Sequence, residues 1–148
     1  MSDLPSPEGL RAWRAFLEAH AAVTRTLEDE LREERDLPLT WYDVLVQLDE
    51  AGGRLRMHVL ADRLLLSRSA TTRFAERLER AGLVERHRSG DDRRGTDLVL
   101  TGRGREVLEA AAPVHLRGVE EHFGRCFDPE EAETLAALLS RLAGRRSV

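Results

Sequence analysis

Through the first part of the chain, apolar or small positions recur in alternating steps of three and four. They are Leu10, Trp13, Leu17, His20, Thr24, Leu27 and Leu31. That rhythm predicts a helix over 7–34 with a seam of seven positions, ended by Pro38. Glu28, Asp29, Glu30, Glu33 and Glu34 make its outer faces acidic, so the seam needs a partner. Thr40, with Asp43 three positions on, predicts a capped helix over 41–50. Trp41, Val44, Leu45 and Leu48 are its apolar face, and Gly52-Gly53 stops it. A third helix is expected over 57–64, with Leu60, Ala61 and Leu64 inward, followed by a tight turn at Leu65-Leu66. Ser67 predicts the cap of a fourth helix over 68–81, closed by Gly82 in a left-handed conformation.

Beyond Gly82 the pattern changes. Residues 84–88 and 96–100 are β-prone, and the turn formers Ser89 to Gly95 lie between them, which predicts a hairpin. Thr101 caps the next expected helix. There Leu108, Ala112, His115, Val119, His122 and Cys126 again step by four and three, with Pro113 as a candidate kink. Asp128-Pro129-Glu130-Glu131 combines a cap, a proline at the first helical position and a glutamate three after the cap. Leu135, Leu138, Leu139 and Leu142 give the last helix an apolar face.

At 148 residues the chain is expected to be one domain, 1–148. No apolar run approaches the ~20 residues of a membrane span. The N-terminus has no basic and apolar leader pattern, so a soluble cytoplasmic protein is expected. Cys126 is the only cysteine, which excludes an intrachain disulfide and a zinc site built mainly of thiolates. All 23 basic residues are Arg, a bias that the base composition of a genome can produce. The net charge of -4 argues against nucleic acid, but it is unevenly spread. Residues 54–105 hold 13 Arg and seven acidic residues, a balance of +6, and the remainder balances to -10. A basic middle in an acidic body is the footprint of a phosphate-binding segment.

The order helix, tight turn, helix, hairpin is that of a winged helix-turn-helix. In that motif the second helix enters the major groove of double-stranded DNA and its first residues reach base edges. Ser67, Arg68, Ser69, Thr72, Arg73 and Arg77 occupy that region here. Arg forks to guanine, Ser and Thr contact bases or phosphates, and the helix N-terminus attracts phosphate. Arg93 and Arg94 at the wing tip suit a narrow minor groove. Asp91 and Asp92 beside them are expected to pair with neighbouring Arg side chains and fix the shape of the wing, which places Asp92 in the candidate DNA-binding set.

From about residue 37 to 108 the chain resembles the MarR family of bacterial transcriptional regulators. The residues that carry the resemblance are Leu39-Thr40-Trp41-Tyr42-Asp43-Val44-Leu45, Leu60-Ala61-Asp62-Arg63-Leu64, Ser67-Arg68-Ser69 and Thr72-Arg73. Arg77-Leu78-Glu79, Gly82-Leu83-Val84, Asp92-Arg93-Arg94-Gly95 and Leu100-Thr101 with Gly104 continue it in family order. The resemblance implies a mostly α fold with a small β-hairpin wing, and long N- and C-terminal dimerisation helices at 7–36 and 102–148. A DNA-binding lobe would occupy 40–101. It further implies a homodimer reading a pseudo-palindromic operator, usually as a repressor. Release would follow binding of a small, often aromatic or phenolic, effector between the two lobes. Thr71, where the family commonly has an apolar residue, and His58, where it has Ser or Thr, depart from the pattern.

By the same resemblance Trp13, His20, Trp41 and His115 are candidate effector contacts, with Arg11 or Arg14 as counter-charge. Seam packing is the competing reading for these positions. A metal-responsive regulator is a further alternative, since His115, His122 and Cys126 share a helical face, but it needs ligands from another helix or subunit. His115 and His122 stand seven apart, which separates them by ~10 Å along a helix, too far for one ion. Cys126 at a seam position is expected to be packing and not a redox switch. No phosphate loop, nucleophile elbow or His-Glu-x-x-His pair is present, so neither enzyme activity nor a cofactor is expected. The contrasting reading is a winged-helix module for protein–protein contact. The +6 segment favours DNA.

Overall fold

The computed structural model describes residues 3–88 and 95–144. Asp91, Asp92, Arg93 and Arg94 of the expected wing tip lie outside the described residues. The elements run α1 (Pro7–Arg35), α2 (Leu39–Glu50), β1 (Arg54–Arg56), α3 (Met57–Leu64), α4 (Arg68–Arg80), β2 (Val84–Arg88), β3 (Thr96–Leu100), α5 (Gly102–His122) and α6 (Pro129–Gly144). A short 3-10 turn, Gly124–Cys126, precedes α6. The fold is mostly helical with a small antiparallel sheet, that of a winged helix. Two compact units divide the chain: Glu30–Val114, and the segments before and after it.

The Glu30–Val114 unit holds the main core. Leu31, Leu45, Leu48, Leu60, Leu78 and Leu98 are fully buried there, with Val44, Val84, Ala111 and Val114 packed around them. The sheet is ordered β1-β3-β2, so β3 is central. Its Leu98 faces Leu55 on β1 and Arg86 on β2. The two hairpin strands have the bounds expected from sequence. β1 is new: three residues are too few to display a period of two.

Local chemistry sets most boundaries. Ser67 Oγ accepts the Ala70 N–H at 3.1 Å, and Thr101 Oγ1 accepts the Gly104 N–H at 3.0 Å, so both expected caps form. The cap expected at Thr40 does not. α2 begins at Leu39, with Pro38 at the cap position and no side-chain capping bond, which places Thr40 inside the first turn. Proline fixes φ and has no N–H to satisfy, so a helix can start beside it without a capping side chain.

Between α3 and α4 the chain turns at Leu65, which adopts φ 57° and ψ 35°. The Leu66 N–H donates to the Ala61 carbonyl at 3.0 Å, closing the helix end. Leu65 is 69% exposed, so its side chain gains little burial to offset the left-handed strain. Leu65→Asn, a residue that visits this conformation readily, is expected to stabilise the fold by about 0.5–1 kcal/mol. Chemical denaturation measures this; a lower unfolding midpoint for the variant would contradict it.

In the other unit, α6 opens with the expected reciprocal cap. The Glu131 N–H donates to Asp128 Oδ1 at 2.8 Å, and the Asp128 N–H donates to Glu131 Oε1 at 3.1 Å. Large apolar side chains stay in the open: Leu10, Trp13, Leu17, Leu116, Leu138 and Leu142 are all at least 45% exposed. Pro113 lies inside α5, which continues through it without a break. The buried stripe of α5 is Gly104, Leu108, Ala111, Val114 and Gly118, whereas Ala112, His115, Val119 and His122 are half-buried. Small residues at the closest approaches shift this stripe from the expected seam, because a count of large apolar positions passes over them. Cys126 corrects a further expectation. The helix ends at His122, so Cys126 lies off its face, in the 3-10 turn, and is exposed.

Candidate nucleic-acid interface

α3 and α4 form a helix-turn-helix whose second helix is amphipathic. Thr71, Ala75 and Leu78 are its buried positions. That registration leaves Arg68, Ser69, Thr72, Arg73 and Arg77 on the solvent side, away from the core. Hydroxyl groups order the start of the helix. Ser67 Oγ caps Ala70 and stands 3.2 Å from Ser69 Oγ. Thr71 Oγ1 donates to the Ser67 carbonyl at 2.9 Å, which satisfies this buried polar residue. Thr72 Oγ1 donates to the Arg68 carbonyl, also at 2.9 Å. The structure therefore brings Arg68, Ser69, Thr72 and Arg73 onto one exposed surface at the α4 N-terminus. Ser67 is spent largely on capping.

Beside this surface lies a cavity of about 360 Å³, lined by Arg56, Met57, His58, Arg68, Thr71, Thr72, Arg86, Gly95 and Thr96. It joins the starts of α3 and α4 to the stem of the wing. Of its basic residues, only Arg68 was legible as a site residue. Arg56 arrives through β1, which the sequence pattern does not reveal, and His58 follows it in the first turn of α3. His58 is the second residue of α3, and the cap position before that helix is held by Arg56, which makes no side-chain capping bond. Arg86 arrives through strand alternation: Val84, Arg86 and Arg88 share the face of β2 that meets α4.

Acidic groups organise this basic surface. Glu79 on α4 accepts the Arg86 backbone N–H at 3.0 Å and its Nε–H at 3.1 Å, and Arg86 Nη2 lies 3.0 Å from Glu79 Oε1. Glu76 Oε1 stands 3.8 Å from Arg86 Nη1. These bonds to Arg86 hold the Glu79 carboxyl below the usual carboxylate range. On the opposite face of the sheet Arg54 Nε donates to the buried Asp97 at 2.6 Å, and His87 Nε2 lies 2.9 Å from Glu85 Oε2. Arg105 pairs with Asp49 and ties the start of α5 to the end of α2.

The candidate effector residues fall in different settings. Trp13, Phe16 and His20 stack in series along α1, with ring centroids 6.1 and 6.2 Å apart. Trp41 packs against the core of the Glu30–Val114 unit. His115 on α5 is half-buried, and burial lowers its imidazole pKa.

Comparison with known proteins locates this geometry. The sequence model of the MarR family matches residues 35–95. AbsC, a MarR family transcriptional regulator from Streptomyces coelicolor, is 33% identical, with 99% of each chain covered and a TM-score of 0.90. Sco3205 from the same organism, a MarR family regulator solved in complex with DNA, is 31% identical over 95% of this chain and 92% of its own, with a TM-score of 0.88. A mutant of MarR from E. coli, complexed with operator DNA, is 25% identical over 95% of this chain and 99% of its own, with a TM-score of 0.81.

Proposed function

The chain belongs to the MarR family of transcriptional regulators, and from that footing we propose that it is a homodimeric repressor that binds a pseudo-palindromic operator in double-stranded DNA. One observation carries the reading. The capped N-terminus of α4 presents Arg68, Ser69, Thr72 and Arg73 together to solvent, on the basic segment of an acidic chain. The helix would enter the major groove, with Arg68 and Arg73 reaching guanine edges and the helix N-terminus meeting phosphate. Arg77 lies one turn further along the same surface. Arg93 and Arg94 would extend the contact into the minor groove, with Asp92 pairing with a neighbouring Arg to fix the shape of the wing, as the sequence motif suggests.

The second copy is argued from the open apolar side chains of α1 and α6, because a monomer rarely leaves so many large apolar groups in water. A closed two-fold dimer would cover them and set two winged motifs about one helical turn apart on the duplex. Release by a small aromatic or phenolic effector completes the proposal. The stacked Trp13, Phe16 and His20 offer the aromatic surface for it, with His115 and Trp41 as further candidates. Among the described residues no helix is long and apolar enough to cross a membrane.

The test is binding to duplex DNA from upstream of the protein's own coding sequence, followed by fluorescence anisotropy across a salt series. The expected result is tight binding whose logarithm falls linearly with the logarithm of salt, with a slope of about -0.9 for each phosphate neutralised. Failure to bind that fragment at low salt would overturn the DNA reading and leave the protein–protein module.

A further inference from the structure

β2 is an edge strand, since the sheet is ordered β1-β3-β2. Its open edge would ordinarily leave N–H groups to water or to another chain. At Arg86 that N–H is instead given to Glu79 on α4, and the Arg86 guanidinium folds back onto the same carboxylate. Three contacts of 3.0–3.1 Å therefore converge on one side chain. Both side chains are more than a third exposed, so the ion pair by itself contributes little to stability. Its geometry matters more. The segment between Glu79 and Arg86 turns at Gly82, where φ is +79°. Backbone hydrogen bonds tie the turn itself, Gly82 N–H to the Glu79 carbonyl at 2.9 Å and Leu83 N–H to the Leu78 carbonyl at 3.0 Å. The Glu79 carboxylate reaches further along the stem, bonded at once to the main chain and side chain of Arg86 in the exposed part of β2.

We infer that Glu79 is a positioning residue for DNA binding, clamping the stem of the wing to the recognition helix so that both can engage one duplex. The inference rests on the DNA-binding reading above. It runs against simple electrostatics. An acidic residue in a segment of charge +6 should repel the duplex, and removing it should tighten binding and steepen the salt slope. The clamp gives the opposite sign on both counts, because a wing set free withdraws its phosphate contacts.

The experiment compares the full-length protein with Glu79→Ala and Glu79→Gln on the upstream duplex that the wild type binds. Anisotropy at several salt concentrations gives affinity and slope, and thermal unfolding confirms that each variant is folded at the assay temperature. Glu79→Ala is expected to bind about 10-fold or more weakly, with a slope shallower by one to two phosphates' worth, about 0.9 each. Glu79→Gln keeps an acceptor for the Arg86 N–H but loses the charge, so its loss is expected to be smaller. A loss of stability alone would leave the slope of the folded fraction unchanged. Glu79→Ala binding as tightly as wild type or more tightly, with an equal or steeper slope, overturns the clamp. If Glu79→Ala does not fold, Glu79→Gln decides by the same criterion: weaker binding with a shallower slope supports the clamp, and undiminished binding overturns it. A wild type that binds no duplex defeats the DNA reading, a result distinct from a wild type and a Glu79→Ala variant that bind alike.

Discussion

Replacing Gly104 with alanine is expected to lower the thermal unfolding midpoint by about 10 °C, the equivalent of roughly 3 kcal/mol at the upper end of overpacking costs. Gly104 is buried in the first turn of α5, where the helix passes directly over the Leu83 carbonyl. A Cβ there would lie well inside van der Waals contact of that oxygen and 2.8 Å from Leu100 Cδ1. Neither neighbour can give way cheaply. The Leu83 carbonyl already accepts the Thr101 N–H at 3.1 Å, and Thr101 Oγ1 donates to the Gly82 carbonyl at 2.7 Å. Leu100 ends the central strand and belongs to the core. The clash would therefore push α5 away from the sheet. Differential scanning calorimetry at fixed protein concentration measures the shift, since the melting of an oligomer depends on concentration. A midpoint within about 2 °C of wild type would mean that α5 slides without resistance.

The second large effect concerns assembly. Replacing Leu138 and Leu142 together with aspartate is expected to give a monomer by sedimentation velocity at micromolar concentration. On the proposed dimer reading, operator affinity should fall by about 10²–10⁴-fold, because the second half-site would no longer be tethered to the first. The pair suits the test because both side chains are largely exposed in the single chain, 46% and 57%. Their loss therefore costs the chain's own packing little. A double variant that still sediments as a dimer would show that another surface holds the copies together.

What could be read from sequence divides by the range of the interaction. The caps at Ser67, Thr101 and Asp128 were legible because donor and acceptor lie three residues apart. The strands Val84–Arg88 and Thr96–Leu100 were legible because turn formers bracket them. Thr40 misled because capping chemistry points to the hydroxyl, while Pro38 settles the backbone one residue earlier. Cys126 misled because its spacing continues that of α5, although the helix ends at His122. The exposed set Arg68, Ser69, Thr72 and Arg73 follows from helical periodicity alone. Its surroundings do not. Arg56 enters through a strand of three residues. Glu79 meets Arg86 across a turn, at a separation of seven that joins a helix to a strand and so follows the period of neither. Tertiary partners of this kind leave no local trace.

On the proposed DNA-binding reading, the direction of one hydroxyl bears on which bases this surface would tell apart. Thr72 Oγ1 already donates its proton to the Arg68 carbonyl. What it offers outward is lone pairs and a methyl group. A phosphate oxygen or a guanine O6 needs a donor and finds none there. The exocyclic amino groups of adenine and cytosine are donors, and the thymine methyl is an apolar neighbour. In the proposed complex Thr72 would therefore discriminate among bases, whereas the arginines beside it, which can only donate, would answer to guanine and to the backbone alike.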